Sequence, residues 1–151
     1  MMRYDGRVNA SQDLSSADFR VLADFRYQIR RFLHFSEEAA RAEELEPQQH
    51  QMMLAVRALG DGAGPAIGAL AEHLFIRHHS AVGLIDRLEE RRLVKRARAD
   101  PDRRLVRVKL TPAGERKLHR LARAHRTELR NFGPRLVETL DALLQRRSGK
   151  V

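Results

Sequence analysis

Seven histidines (His34, His50, His73, His78, His79, His119 and His125) and 20 acidic residues are the candidates for metal or acid–base chemistry, and their spacing supports neither. No two histidines stand four apart on a helical face, His119 and His125 lie six apart, and no His-Glu-x-x-His run occurs, so no metal site is expected. There is no Gly-x-Ser-x-Gly elbow, Walker loop or dinucleotide-binding glycine pattern. Cysteine is absent, which removes thiol catalysis, thiol redox sensing and disulfides. No catalytic residue, no cofactor and no enzymatic activity are expected. Arginine is what remains. Between Arg77 and Arg130 stand 17 Lys+Arg against 7 Asp+Glu, a net +10 in a chain whose total is +9. The guanidinium fork suits phosphate oxygens and guanine edges. A solvated helical face would carry the same charges, so binding to a duplex requires a fold that gathers them on one surface.

The hydrophobic pattern supplies such a fold. Ser15-Ser16-Ala17-Asp18 reads as a capped start, and Leu22, Phe25, Ile29 and Phe32 repeat at helical spacing to about Glu44. Pro47 opens a second helix to about Leu59, and Gly60-Asp61-Gly62-Ala63-Gly64-Pro65 breaks it. A short helix, about Ala66 to Leu74, is followed after a tight connection by another from Arg77 or His78 to about Arg91 or Arg92, a helix-turn-helix. Two strands follow, Leu93–Arg98 and Leu105–Leu110, with a turn at 99–103; a hairpin in that place looks like a wing. Thr111-Pro112 caps a long basic helix to about Asn131, Gly133-Pro134 is expected to interrupt it, and a last helix runs from Arg135 to about Arg146. At 151 residues and 42% hydrophobic content the chain suits one domain, and no apolar run is long enough for a membrane span. The N-terminus has no apolar segment behind its basic residue, so a cytoplasmic location and no membrane partner are expected.

In this order, the run Leu84-Ile85-Asp86-Arg87-Leu88-Glu89-Glu90-Arg91-Arg92-Leu93-Val94, then Asp102-Arg103-Arg104, then Val108-Lys109-Leu110-Thr111-Pro112-Ala113-Gly114 resembles the MarR family of winged helix-turn-helix transcriptional regulators. The resemblance spans about Ser16 to Leu144. It implies a mainly α chain with a two-stranded β-hairpin wing, read as one domain over 1–151. Within it, about 16–45 and 112–147 would be dimerisation helices and about 47–110 the DNA-binding lobe. It also implies a homodimeric repressor on pseudo-palindromic double-stranded DNA, with two half-sites facing two lobes. An activator differs only in promoter placement.

By the same resemblance Arg77, His78, His79 and Ser80 face base edges at the start of the recognition helix. Arg104 at the hairpin tip enters the minor groove, Asp102 orients a neighbouring cation, and Arg87, Arg98 and Arg103 flank them. Small aromatic or phenolic effectors would sit beside Phe32, Phe35, His50, Met53, Arg57 and His119, although Phe32 and Met53 also fit a plain core. Three positions depart from the family pattern. Arg92 stands where a glycine commonly closes the recognition helix, Gly83 lies inside that helix, and Val82 replaces a frequent threonine. The alternatives to a regulator are a winged-helix protein–protein adaptor without DNA binding, and a small hydrolase for which no site is specified.

Overall fold

Ser15 opens the first helix. Its hydroxyl accepts the Asp18 N–H (3.3 Å), while the Asp18 carboxylate accepts from the Ser15 N–H (2.8 Å) and hydroxyl (2.6 Å). This reciprocal cap satisfies groups a helix start would otherwise orphan. The computed structural model describes residues 14–98 and 105–145, and in it this helix is α1 (Ser16–Ala42). After it come α2 (Pro47–Leu59), α3 (Ile67–His73), α4 (His78–Glu90), β1 (Val94–Arg98), β2 (Val106–Leu110) and α5 (Pro112–Gln145). The fold is mainly α with a two-stranded antiparallel hairpin, as the pattern predicts. Pro47 fills the first position of α2, where a missing N–H costs nothing, and the Gln49 side chain accepts the Glu46 N–H (3.0 Å).

Three helices end in the same way, and none of them uses glycine. Glu44, Phe75 and Arg92 have φ of 60°, 54° and 57°. Behind each, a pair of backbone bonds closes the helix: Glu44 N–H to Arg41 O with Leu45 N–H to Ala40 O, Phe75 N–H to Glu72 O with Ile76 N–H to Ala71 O, and Arg92 N–H to Glu89 O with Leu93 N–H to Leu88 O. This is the Schellman closure. The departure at Arg92 therefore does not remove the left-handed cap of α4; the arginine adopts it, at a cost of about 1–2 kcal/mol for a side chain in that region.

Residues Glu37–Ala124 form one compact unit. Its core comes from Met52, Met53 and Val56 of α2, Leu70 of α3, Ala81, Leu84, Ile85 and Leu88 of α4, Leu93 and Val94, Val108 of β2, and Leu118 and Leu121 of α5. The hairpin pairs Val94 with Leu110 through Arg98 with Val106. The other edge of β2 is covered by the α2–α3 loop, where Ala66 bridges Arg107 and the Val108 N–H donates to Pro65 O (3.0 Å). Gly64 (φ 84°) makes this approach possible, because a Cβ there would collide with the Val108 carbonyl oxygen.

Leu93 joins α4, the hairpin and α5. Its N–H closes α4, and its carbonyl accepts the Thr111 N–H (3.0 Å). The Thr111 hydroxyl donates to Arg92 O (2.7 Å) and accepts the Gly114 N–H (3.1 Å), capping α5. Gly114 lies so near that a Cβ would collide with the Leu93 carbonyl oxygen. At the end of α1, Glu43 is bound by Lys117 through its carbonyl and by Arg120 through its carboxylate (2.9–3.1 Å). The hydrogen bond from Arg120 holds the Glu43 carboxyl below its ordinary value, against the opposing effect of burial.

The second unit comprises the described residues up to Ser36 together with those from His125 onward. Here the expected interruption is corrected: α5 passes through Gly133-Pro134 without a break. Pro134 leaves the Arg130 carbonyl without its usual i+4 donor, a loss solvent can make good at this exposed position. Phe132 and Thr139, one on each side of it, are both buried, so one helix face continues past the proline and its packing offsets the lost bond. Of the fourteen exposed large hydrophobic residues described, ten belong to this unit, among them Leu14, Phe19, Leu22, Val137, Leu140 and Leu144.

Gly114→Ala should destabilise the fold by several kcal/mol, on the order of 3, because backbone rather than a side chain must yield. Arg92→Gly should stabilise it by about 1 kcal/mol through relief of the left-handed strain. Urea denaturation of both variants checks the opposite signs.

Candidate nucleic-acid interface

α3 and α4, joined through Leu74–Arg77, place the predicted reading residues. Arg77 is the N-cap of α4, in extended backbone and without a side-chain cap bond, and no acid occupies the helix's first turn. The N-terminal amides of α4 thus keep free hydrogen-bonding capacity beside an arginine and two histidines, a setting that favours anions. Arg77, His78 and His79 are exposed and Ser80 is half-buried. One helical face carries His79, Gly83, Asp86 and Arg87, while Ala81, Leu84, Ile85 and Leu88 turn into the core. A Cβ on Gly83 would meet only the Arg87 guanidinium, at 3.8 Å, so nothing inside the chain demands glycine there. Val82 is half-buried.

Asp86 is the difficulty on this face, because a carboxylate beside Arg87 would repel phosphate. The structure resolves it through a residue the sequence reading passed over. Arg96, on β1, donates through Nη2 to Asp86 Oδ1 (2.5 Å) and through Nη1 to Glu89 Oε1 (2.9 Å), and its backbone N–H donates to Glu89 Oε2 (2.9 Å). Burial works against the Arg96 charge, but the hydrogen bonds it donates to both carboxylates, with their negative charge, outweigh it and raise its pKa. One cation thereby offsets one of these two negative charges, holds both carboxylates and fixes the hairpin to α4. The available signal was the Asp86–Glu89 spacing of three, which puts two carboxylates on adjacent positions facing a strand.

Arg87, Arg91, Arg92, Lys95 and Arg98 are exposed in the same unit, and Arg91 also donates to the Gln49 side chain (3.1 Å). Arg98 ends β1. Asp102, Arg103 and Arg104, the expected hairpin tip, lie outside the described residues. Of the effector candidates, Phe32 and Phe35 both present ring edges to His125, with centroids 5.9 and 5.3 Å away, and His125 Nε2 lies 2.8 Å from Ser36 Oγ. In the other unit Arg57 and His119 both approach the Glu115 carboxylate, at 3.3 and 3.7 Å. Arg57 also lines a cleft of about 160 Å³ with Asp61, Lys109 and Glu115. His50 and Met53 are both buried, and Met53, wholly so, is part of the hydrophobic core.

Residues 44–105 match the model of the MarR family. A curated relative, an uncharacterized HTH-type transcriptional regulator YsmB of Bacillus subtilis (strain 168), is 33% identical over 66 residues, 44% of this chain. That match spans 45% of the relative's own length. Among solved structures the chain is similar to AbsC, a MarR family transcriptional regulator from Streptomyces coelicolor, with TM-score 0.72, 19% identity, and 91% and 96% of the two chains covered. It is also similar to a mutant of MarR from E. coli complexed with operator DNA, with TM-score 0.64, 20% identity, and 89% and 98% covered. The winged helix-turn-helix expected from the sequence is the fold these structures share.

Replacing Arg96 with Met should free both carboxylates on the outer face of α4 and loosen the hairpin. The expected loss is about 1 kcal/mol, small because Asp86 and Glu89 are half in solvent. Thermal denaturation, with hydrogen exchange of the β1 amides, checks it; amides as protected as in the parent chain would count against the clamp.

Proposed function

We propose that the protein, whose residues 44–105 match the MarR family model, is a sequence-specific double-stranded DNA-binding transcriptional regulator of that family. The observation that carries this reading is the charge arrangement of the lobe. Two of the three acids of α4, Asp86 and Glu89, are bound by Arg96, while Arg77, Arg87, Arg92, Lys95 and Arg98 remain exposed around an uncapped helix start. The N-terminal residues of α4 enter the major groove, with Arg77 and His79 at base edges and Ser80 near phosphate or base. Arg98 and Arg103 contact phosphates, and Arg104, oriented with the help of Asp102, reaches into the minor groove. Repression follows where the site overlaps a promoter. An effector of aromatic or phenolic character, seated beside residues such as Phe32 and Phe35 or Arg57 and His119, releases the DNA if it prefers a conformation unsuited to successive grooves.

Affinity for a selected duplex should fall steeply with salt, with log K linear in log salt concentration, because each phosphate contact releases counterions. Arg104→Ala should weaken binding by about 1–3 kcal/mol while the fold persists. A chain that binds no duplex in dilute buffer is instead the protein–protein adaptor, and an Arg104→Ala variant of unchanged affinity rejects the role given to the hairpin tip.

The second part of the proposal is a homodimer, which matches a palindromic site with a two-fold axis. It rests on the unit that exposes most of the large hydrophobic residues, Phe19, Leu22, Leu140 and Leu144 among them. Removal of residues 1–25 should convert dimer to monomer, read by light scattering; a truncated chain that stays dimeric refutes the assignment.

A further inference from the structure

Phe75 is the most exposed large hydrophobic residue described, 83% accessible, and it sits in the turn between α3 and α4. Neither of the ordinary reasons for an aromatic side chain applies to it. It is not part of the core, which takes the half-buried neighbour Ile76 instead. It is not needed for the helix end either. The closure of α3 uses backbone alone, Phe75 N–H to Glu72 O (3.2 Å) and Ile76 N–H to Ala71 O (3.1 Å), and φ of 54° is a conformation that glycine or asparagine adopts with less strain. The left-handed backbone also fixes the direction of the Cα–Cβ bond, so the ring projects from an ordered turn.

Its surroundings indicate what would cover it. Two residues further on is Arg77, the exposed N-cap of α4, followed by the exposed His78 and His79. Glu72 is an exposed acid of the same turn, and α4 has no acid in its first turn. An apolar ring at a cationic edge fits a partner that is itself anionic but displays an isolated apolar group. Duplex DNA does so in the major groove, where the thymine C5-methyl is the apolar element of the base-pair code and phenylalanine is among the side chains that contact it.

We propose that Phe75 is a specificity-determining residue that packs against a thymine methyl in each half-site, beside the bases read by the start of α4. This rests on the DNA-binding reading above and adds to it a base preference that hydrogen-bonding residues do not provide. The test uses the duplex retained by the full-length wild-type protein from a random pool, with each thymine replaced in turn by uracil, which removes only the methyl. Uracil at one position per half-site should weaken wild-type binding about fourfold per half-site, the worth of one buried methyl. Phe75→Gly and Phe75→Asn, both suited to the left-handed backbone, should bind the thymine duplex weaker by the same factor and lose the uracil effect at that position. Their thermal denaturation midpoints should equal or exceed the parent's. Variants that bind as tightly as wild type, or that keep the same uracil penalties, overturn the assignment. A wild-type chain that retains no duplex overturns the DNA-binding reading, and this inference with it.

Discussion

The backbone of Leu93 is the point on which the winged lobe depends. Its N–H closes α4, its carbonyl receives Thr111, and Gly114 gives up a side chain so that the first turn of α5 can lie against that carbonyl. Three elements are therefore tied by backbone bonds at one residue, where directional bonds set angles more sharply than apolar packing does. The hairpin that follows inherits its direction from this junction. Arg96 then adds a second attachment three residues along, from strand to helix.

The electrostatic consequence is larger than the energetic one. Partly exposed ion pairs contribute little to stability. Their placement nevertheless shapes the local field, and the pairing of Asp86 and Glu89 with Arg96 offsets negative charge beside the exposed Arg87. The +10 stretch noted in the sequence is thus sorted by the fold into two parts. Arg96, Arg107 and Arg120 are spent on internal partners, Glu89, the Gly64 carbonyl and Glu43 among them, while Arg77, Arg87 and Arg98 stay in solvent. Composition alone treats all of them as equivalent.

Much of the fold was legible because its signals are local. Ser15 with Asp18, Pro47 at a first helical position, and Thr111 before Pro112 write helix starts into a few consecutive residues; Ser15 and Asp18 bond reciprocally, and the Thr111 hydroxyl accepts the Gly114 N–H. Periods of 3.6 and 2 separated α4 from the hairpin. Local rules failed where distant residues intervene. Gly133-Pro134 reads as a break, yet burial of Phe132 and Thr139 carries α5 through it. Arg92 reads as a lost glycine cap, yet closure of the helix by Leu93 holds the arginine in the left-handed region. The support of β2 by Ala66 and Pro65 has no sequence pattern at all, apart from the glycine that permits it.

The site divides along the same line. Residue order by itself determined that a helix beginning near Arg77 carries cations, that a strand pair follows it, and that the chain holds no thiol or metal-binding spacing, since these are properties of neighbours along the backbone. Tertiary structure alone decided that Met53 belongs to the core and that His50 is buried, that Phe32 and Phe35 share His125, and that Arg96 answers Asp86 across ten residues. A side chain's partners are chosen by which surfaces the chain must bury together, and that choice is made over the whole unit rather than at any position within it.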